Sequence, residues 1–134
     1  MNELQKVEDY LKQVDFFSVT TIDGDKPKCR PLAFHLYLND HLYFGVGTFK
    51  DVYSQLIANP NVEICACNGE GFLRYYGRAV FEQDDTIADM VLSKAPAMQK
   101  IYNKETGFKL GIFHLENATA EFRTKMGVSE EYHF

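Results

Sequence analysis

Two basic side chains and a hydroxyl stand where a small anion would need them. Arg30 opens the run "RPLAFH". About twenty residues later, the stretch "GVGTFKDVYSQLIANPNV" (Gly45 to Val62) puts Thr48 and Lys50 just ahead of a helical pattern that begins at about Asp51. A guanidinium forks onto a carboxylate or phosphate, an ammonium adds a second charge, and the free N–H groups of a helix start favour an anion. A phosphate fits these residue types best. Gly45 and Gly47 loosen the strand end just before Thr48 and Lys50. Pro31 removes a backbone donor beside Arg30, which leaves the strand unpaired at that point. A plainer reading exists for each residue. Arg30 is then a surface arginine on an edge strand, Thr48 an ordinary N-cap and Lys50 a solvated lysine. Against it, a lysine in a first helical turn is disfavoured by the helix dipole by about 0.3 kcal/mol or more, and a bound anion reverses that penalty.

Other residues offer less. Cys65 and Cys67 form a C-x-C with no second pair, a poor zinc signal, and read as small buried hydrophobes. His35, His41, His114 and His133 are scattered without metal-ligand spacing, so no metal site is expected. His35 lies close to the Arg-Pro run, where a structural histidine and a substrate contact are both open readings. Tyr75 and Tyr76 alternate across a strand, one toward the core and the other toward a partner. The acidic run Glu82 to Asp85 suits the positive end of a helix. No dedicated acid–base residue stands out.

The elements that must position these residues follow from the hydrophobic pattern. Leu4, Val7, Leu11 and Val14 form one apolar stripe on a helix, with Glu3, Lys6, Glu8 and Lys12 expected to face water. "FFSVTTI" ends at the turn signal "DGDKP" and reads as a strand, and "KCRPLAFHLYL" as one long return strand. "ND" and "HLYFGV" follow. A short helix from Asp51 to Ala58 stops at "NPNV", because Pro60 lacks an N–H. "VEICAC", "NGEG" and "FLRYYGRAVF" make a second hairpin. A helical region from Asp84 to Tyr102 is interrupted at Pro96. "FKLGIFHLENATAEFR" is a strand pair or one long bent strand, and a polar tail ends the chain. The fold class expected is α+β, mainly β. About six antiparallel strands close toward a small barrel with flanking helices, in a single domain over residues 1–134.

Composition narrows the function classes. The 134 residues are 46% hydrophobic and 14% aromatic, which suits a packed core and argues against disorder. A net charge of −5 offers no general basic field, so nucleic-acid binding is not expected. The charged segment "MNELQKVEDYLKQV" reads as neither signal peptide nor membrane span, and the three cysteines fit a reducing compartment. The expectation is a cytoplasmic protein with no membrane partner.

The order of these motifs is recognisable. Arg-Pro, then "TFKDVYSQLIANPNVEICA", then "LRYYGRAVF" resembles the pyridoxamine 5′-phosphate oxidase-like superfamily of flavin-binding split barrels. The likeness is greatest to its small nitroimidazole-resistance and general stress members and covers essentially the whole chain. It implies an FMN-binding, six-stranded antiparallel split barrel that forms a homodimer, with cofactor sites at the subunit interface. It also implies phosphate contacts from Arg30, Lys50 and Thr48, with Tyr53 closing that end. The backbone of Pro31, Leu32 and Ala33 would lie along the isoalloxazine ring, with Phe44, Gly45 and Val46 on the adjacent strand. Phe72 and Arg74 match positions that the second subunit contributes in relatives. The implied activity is reduction of small electrophiles, such as nitroaromatics or quinones, with a reduced nicotinamide donor. The alternatives are a carrier or sensor without turnover and a barrel that serves only as an interaction domain; a deazaflavin or haem fits the same cleft in relatives. Two departures stand out. "TKMGVSEEYHF" is acidic and lacks the arginines with which true pyridoxamine phosphate oxidases hold substrate, so that activity is not expected. Gly47 and Phe49 stand where many relatives have an asparagine before the lysine, which removes one polar contact.

Overall fold

The first helix, α1 (Glu3–Leu11), starts on an Asn2–Gln5 capping box and lays its stripe on a sheet. The computed structural model describes residues 1–134. Val7 and Leu11 are wholly buried, and Leu4 and Val14 pack beside them. The strands are β1 (Phe17–Asp23), β2 (Lys26–Leu32), β3 (His35–Leu38), β4 (His41–Gly47), β5 (Asn61–Cys67), β6 (Phe72–Phe81), β7 (Leu110–Thr124) and β8 (Gly127–His133). Three further helices are α2 (Asp51–Ala58), α3 (Asp85–Ser93) and α4 (Pro96–Gln99).

The fold is the expected α+β split barrel, with eight strands in place of about six. One antiparallel sheet runs β2-β1-β5-β6-β7-β4-β3, and β8 pairs with β7. Two features account for the difference. The expected return strand breaks after Leu32, so β2 pairs with β1 while β3 pairs with β4. The polar tail adds itself to the last third of β7 as β8. β7 itself is one long strand, with Asn117 in the left-handed region at φ 49°. No helix is long and apolar enough to cross a membrane.

The two ends of the strand order, β2 and β3, do not pair with each other, and this split organises the molecule. β3 reaches only as far as Phe44 on β4, so Gly45 to Gly47 have a strand partner on the β7 side alone. Inside the curved sheet, Phe17, Val19, Phe44, Ile64, Leu73, Tyr75 and Phe113 form the main core with α1. β4 is buried on both faces, because Tyr43 points outward into a second cluster with Val91, Tyr102, Leu110 and Ile112, roofed by α3 and α4. A buried strand reads as a continuous apolar run for this reason.

Three side-chain expectations are corrected. Glu8 does not face water: it is 6% exposed, and its carboxylate lies 2.6 Å from His35 Nδ1, joining α1 to β3. The buried face of α1 is wider than its leucine–valine stripe. Cys65 is half-buried and Cys67 exposed, so neither is a core residue. Both lie on the outward parity of β5, whose inward positions are Val62, Ile64 and Ala66. The third is Thr48, described with the site below.

Gly77 occupies the bulge where the β6–β7 register slips between Tyr76 and Arg78. A Cβ there would sit 2.8 Å from the Glu116 carbonyl oxygen and 2.9 Å from the Ala118 Cα. Both obstacles are backbone. Gly77→Ala is therefore expected to destabilise the fold by about 1–3 kcal/mol, read as a lower urea midpoint at unchanged slope.

Candidate functional site

At the split, β2, the Ala33–Phe34 link and the free end of β4 enclose a cleft of about 180 Å³. Arg30 and Lys50 both line it, although one comes from an edge strand and the other precedes α2. Pro31, Leu32, Ala33, Gly45 and Val46 supply the wall between them. Seven of the residues expected at the site thus meet in one place.

The way Arg30 is held explains why it suits an anion. Its Nη1 donates to Thr21 Oγ1 at 2.7 Å and to the Val19 carbonyl at 3.3 Å, and its Nη2 donates to Gln55 Oε1 at 2.7 Å. Thr21 is wholly buried and donates its own hydroxyl proton to Gln55. Three neutral acceptors fix the guanidinium, and no carboxylate stands within 4 Å of it. Burial accordingly pulls the Arg30 pKa below the ordinary arginine range, offset in part by Cys29 and Asp51. A half-buried cation that is oriented but not neutralised gains from a partner of opposite charge. Lys50 caps α2 with its backbone alone, without a side-chain cap, and its ammonium has no carboxylate partner either. It is exposed and free to turn toward the same ligand.

Five expected residues stand elsewhere. Thr48 is not in the cluster: its hydroxyl donates to the Lys109 carbonyl at 3.2 Å, where its own N–H also donates, at 3.0 Å. The loop from Gly47 to Lys50 turns that side chain toward β7 and a neighbouring hollow, which Tyr53 also lines. Tyr53 packs edge-on against Phe81, with ring centroids 4.9 Å apart. Phe44 is a core residue, wholly buried against Phe17 and Phe113. Phe72 and Arg74 lie on the outer face of β6, outside this protomer's cleft. There Glu63 grips Arg74 with two 2.8 Å hydrogen bonds, which raise the guanidinium's pKa. Glu121 accepts from Tyr76 and Arg123 in the same network. Tyr75 is the core member of its pair and Tyr76 the outward one.

Sequence reasoning missed both supports of Arg30 and the far wall of the cleft. Thr21 follows Phe17 and Val19 at inward parity, so a polar residue at a core position was the available signal. Gln55 precedes Leu56 on the buried side of α2 and gave none. Met98, Ile101 and Tyr102 cover the cleft from α4 and the turn after it. Their placement depends on a chain crossing that no local pattern encodes. The cleft contains no His, Cys, Asp or Glu side chain; its ionisable groups are Arg30, Lys50 and Tyr102. No group of His, Cys, Asp and Glu in the molecule is arranged to hold a metal ion.

A family model described as Pyridoxamine 5′-phosphate oxidase matches residues 4–123. No curated protein matches the sequence. Among solved structures, a NimC/NimA family protein from Clostridium acetobutylicum is 22% identical, over 97% of this chain and 90% of its own, at TM-score 0.84. The general stress protein 26 of Bacillus anthracis is 15% identical over the whole of both chains, at TM-score 0.72. A pyridoxamine 5′-phosphate oxidase-related, FMN binding protein from Nostoc punctiforme is 15% identical over 100% of this chain and 98% of its own, at TM-score 0.61.

Proposed function

This chain belongs to the pyridoxamine 5′-phosphate oxidase family, and on that premise we propose that it binds FMN in the cleft between Arg30 and Lys50 and acts as an oxidoreductase on small electrophiles. One observation carries the reading: the Arg30 guanidinium is positioned by Thr21, Gln55 and Val19 with no carboxylate of the chain beside it, and Lys50 lines the same cleft. A phosphomonoester near two negative charges fits two such cations. Beside them, the apolar strip of Pro31 to Ala33 and the unpaired edge of Gly45 to Gly47 suit one face of a flat aromatic ring. The FMN binding protein of Nostoc punctiforme, similar in fold, supports the same assignment.

The cleft volume supports a second subunit. About 180 Å³ is small against the roughly 300–1,000 Å³ typical of cofactor-sized sites. In this reading a homodimer supplies the missing wall, and the outer-face residues Phe72 and Arg74 reach the site of the opposite protomer.

FMN held there would supply hydride transfer between a reduced nicotinamide and an acceptor such as a nitroaromatic or quinone. The chain's own residues bind and orient. Arg30 and Lys50 anchor the phosphate, the β2 and β4 edges hold the ring plane, and the apolar walls exclude water. Pyridoxamine 5′-phosphate oxidation is not proposed: β8 carries Glu130 and Glu131 and no arginine.

A carrier or sensor without turnover is the second reading. It is favoured by the lack of any carboxylate, imidazole or thiol in the cleft. Steady-state oxidation of reduced nicotinamide by the FMN-loaded protein, with nitroaromatic and quinone acceptors, separates the two. Acceptor-dependent turnover is the expected result. Tight FMN binding with no turnover on any acceptor would favour the carrier.

A further inference from the structure

Tyr102 is 7% exposed, yet its hydroxyl has no hydrogen-bond partner in the protein. Its ring packs with Tyr43, Val91 and Leu110, which fixes its direction. The hydroxyl comes up against Gly47: a Cβ built there would lie 2.9 Å from it. Gly47 lies three positions before Lys50, and the Lys50 N–H donates to its carbonyl at 3.0 Å. The phenol therefore lines the cleft beside Gly47, and Arg30 and Lys50 line the same cleft. The ring is buried but the hydroxyl stays accessible, and with no partner in the protein to hold it the phenol is free to meet a ligand.

Resting on the FMN reading above, we propose that Tyr102 donates a hydrogen bond to the ligand's phosphate, filling the role of the hydroxyl beside Arg30 and Lys50. Thr48 is not available for it, since its hydroxyl is committed to the Lys109 carbonyl. Burial pushes the Tyr102 phenol up, which keeps it protonated and a donor at neutral pH. Gly47 is then required for the approach, because any side chain there would strike the phenol or the Phe49 ring, 2.7 Å from the same Cβ. The turn that follows α4 becomes part of the anion site and ties ligand binding to the packing of that segment.

The test compares Tyr102→Phe with the unaltered protein, using FMN and riboflavin as probes. Riboflavin carries the same ring without the phosphate. Tyr43→Phe, in the same apolar cluster but outside the cleft, serves as the packing control. Tyr102→Phe should weaken FMN binding about tenfold while leaving riboflavin affinity and the melting temperature of the ligand-free protein unchanged. Tyr43→Phe should alter neither affinity. An unchanged FMN affinity in Tyr102→Phe overturns the proposal while the FMN reading stands. An equal loss for both ligands overturns it too, by moving the contact to the ring or to packing. If the unaltered protein binds neither flavin, the underlying reading fails and the proposal with it.

Discussion

Replacing Arg30 or Lys50 with alanine is expected to weaken FMN binding by about 1.5–3 kcal/mol each, roughly 10- to 150-fold, while riboflavin affinity stays near its original value. The phosphate is the only part of the ligand that needs a cation, so the loss should follow the phosphate and not the ring. Arg30→Ala should fall at the upper end, because its guanidinium is already fixed by Thr21, Gln55 and Val19 and loses little freedom on binding. Lys50→Ala should fall lower, since that side chain is exposed and must be ordered by the ligand. The two effects should not simply add, as both groups touch one phosphate. Fluorescence titration at two salt concentrations supplies a further check. Salt should weaken the unaltered protein more than either variant, because the exposed part of the attraction is screened. Equal losses for FMN and riboflavin would mean that the substitutions disturbed the cleft as a whole.

The second large effect concerns the strand that frames the cleft. Glu8→Ala is expected to cost about 2–4 kcal/mol of stability, because it leaves the His35 imidazole nearly buried without its 2.6 Å partner. Glu8→Gln should cost less, since an amide oxygen can still accept from the ring. The pair joins α1 to β3, and β3 begins directly after the Ala33–Phe34 part of the cleft wall. Urea denaturation measures the stability. A loss under about 0.5 kcal/mol would show that the pair is an incidental contact.

Local pattern made most of the elements legible. The valine–leucine stripe of α1, the hairpin of β5 and β6, the start of α2 at Asp51 and the interruption at Pro96 all depend on neighbours in sequence. The extra strands were not legible for two different reasons. The break after Leu32 comes from the two halves of one apolar run pairing with different neighbours, a tertiary fact. β8 is polar and becomes a strand because β7 offers a free edge beyond its contact with β4. At the cleft, the meeting of Arg30 and Lys50 was expected from residue type and spacing. Thr48 was expected there from its place before a helix, but the tight Gly47–Lys50 loop turns its hydroxyl to the Lys109 carbonyl; Tyr102, which does line the cleft, arrives from a segment some fifty residues away in sequence. Glu8 was misread because charge was taken as exposure, whereas a carboxylate with a partner can be buried.

Native mass spectrometry of the purified protein, before and after incubation with FMN, tests the central claim most directly. The account predicts a dimer that carries two FMN molecules, and that loses them when Arg30 and Lys50 are both replaced. A monomer that takes up no FMN, or a dimer whose FMN content is indifferent to those two residues, would contradict it.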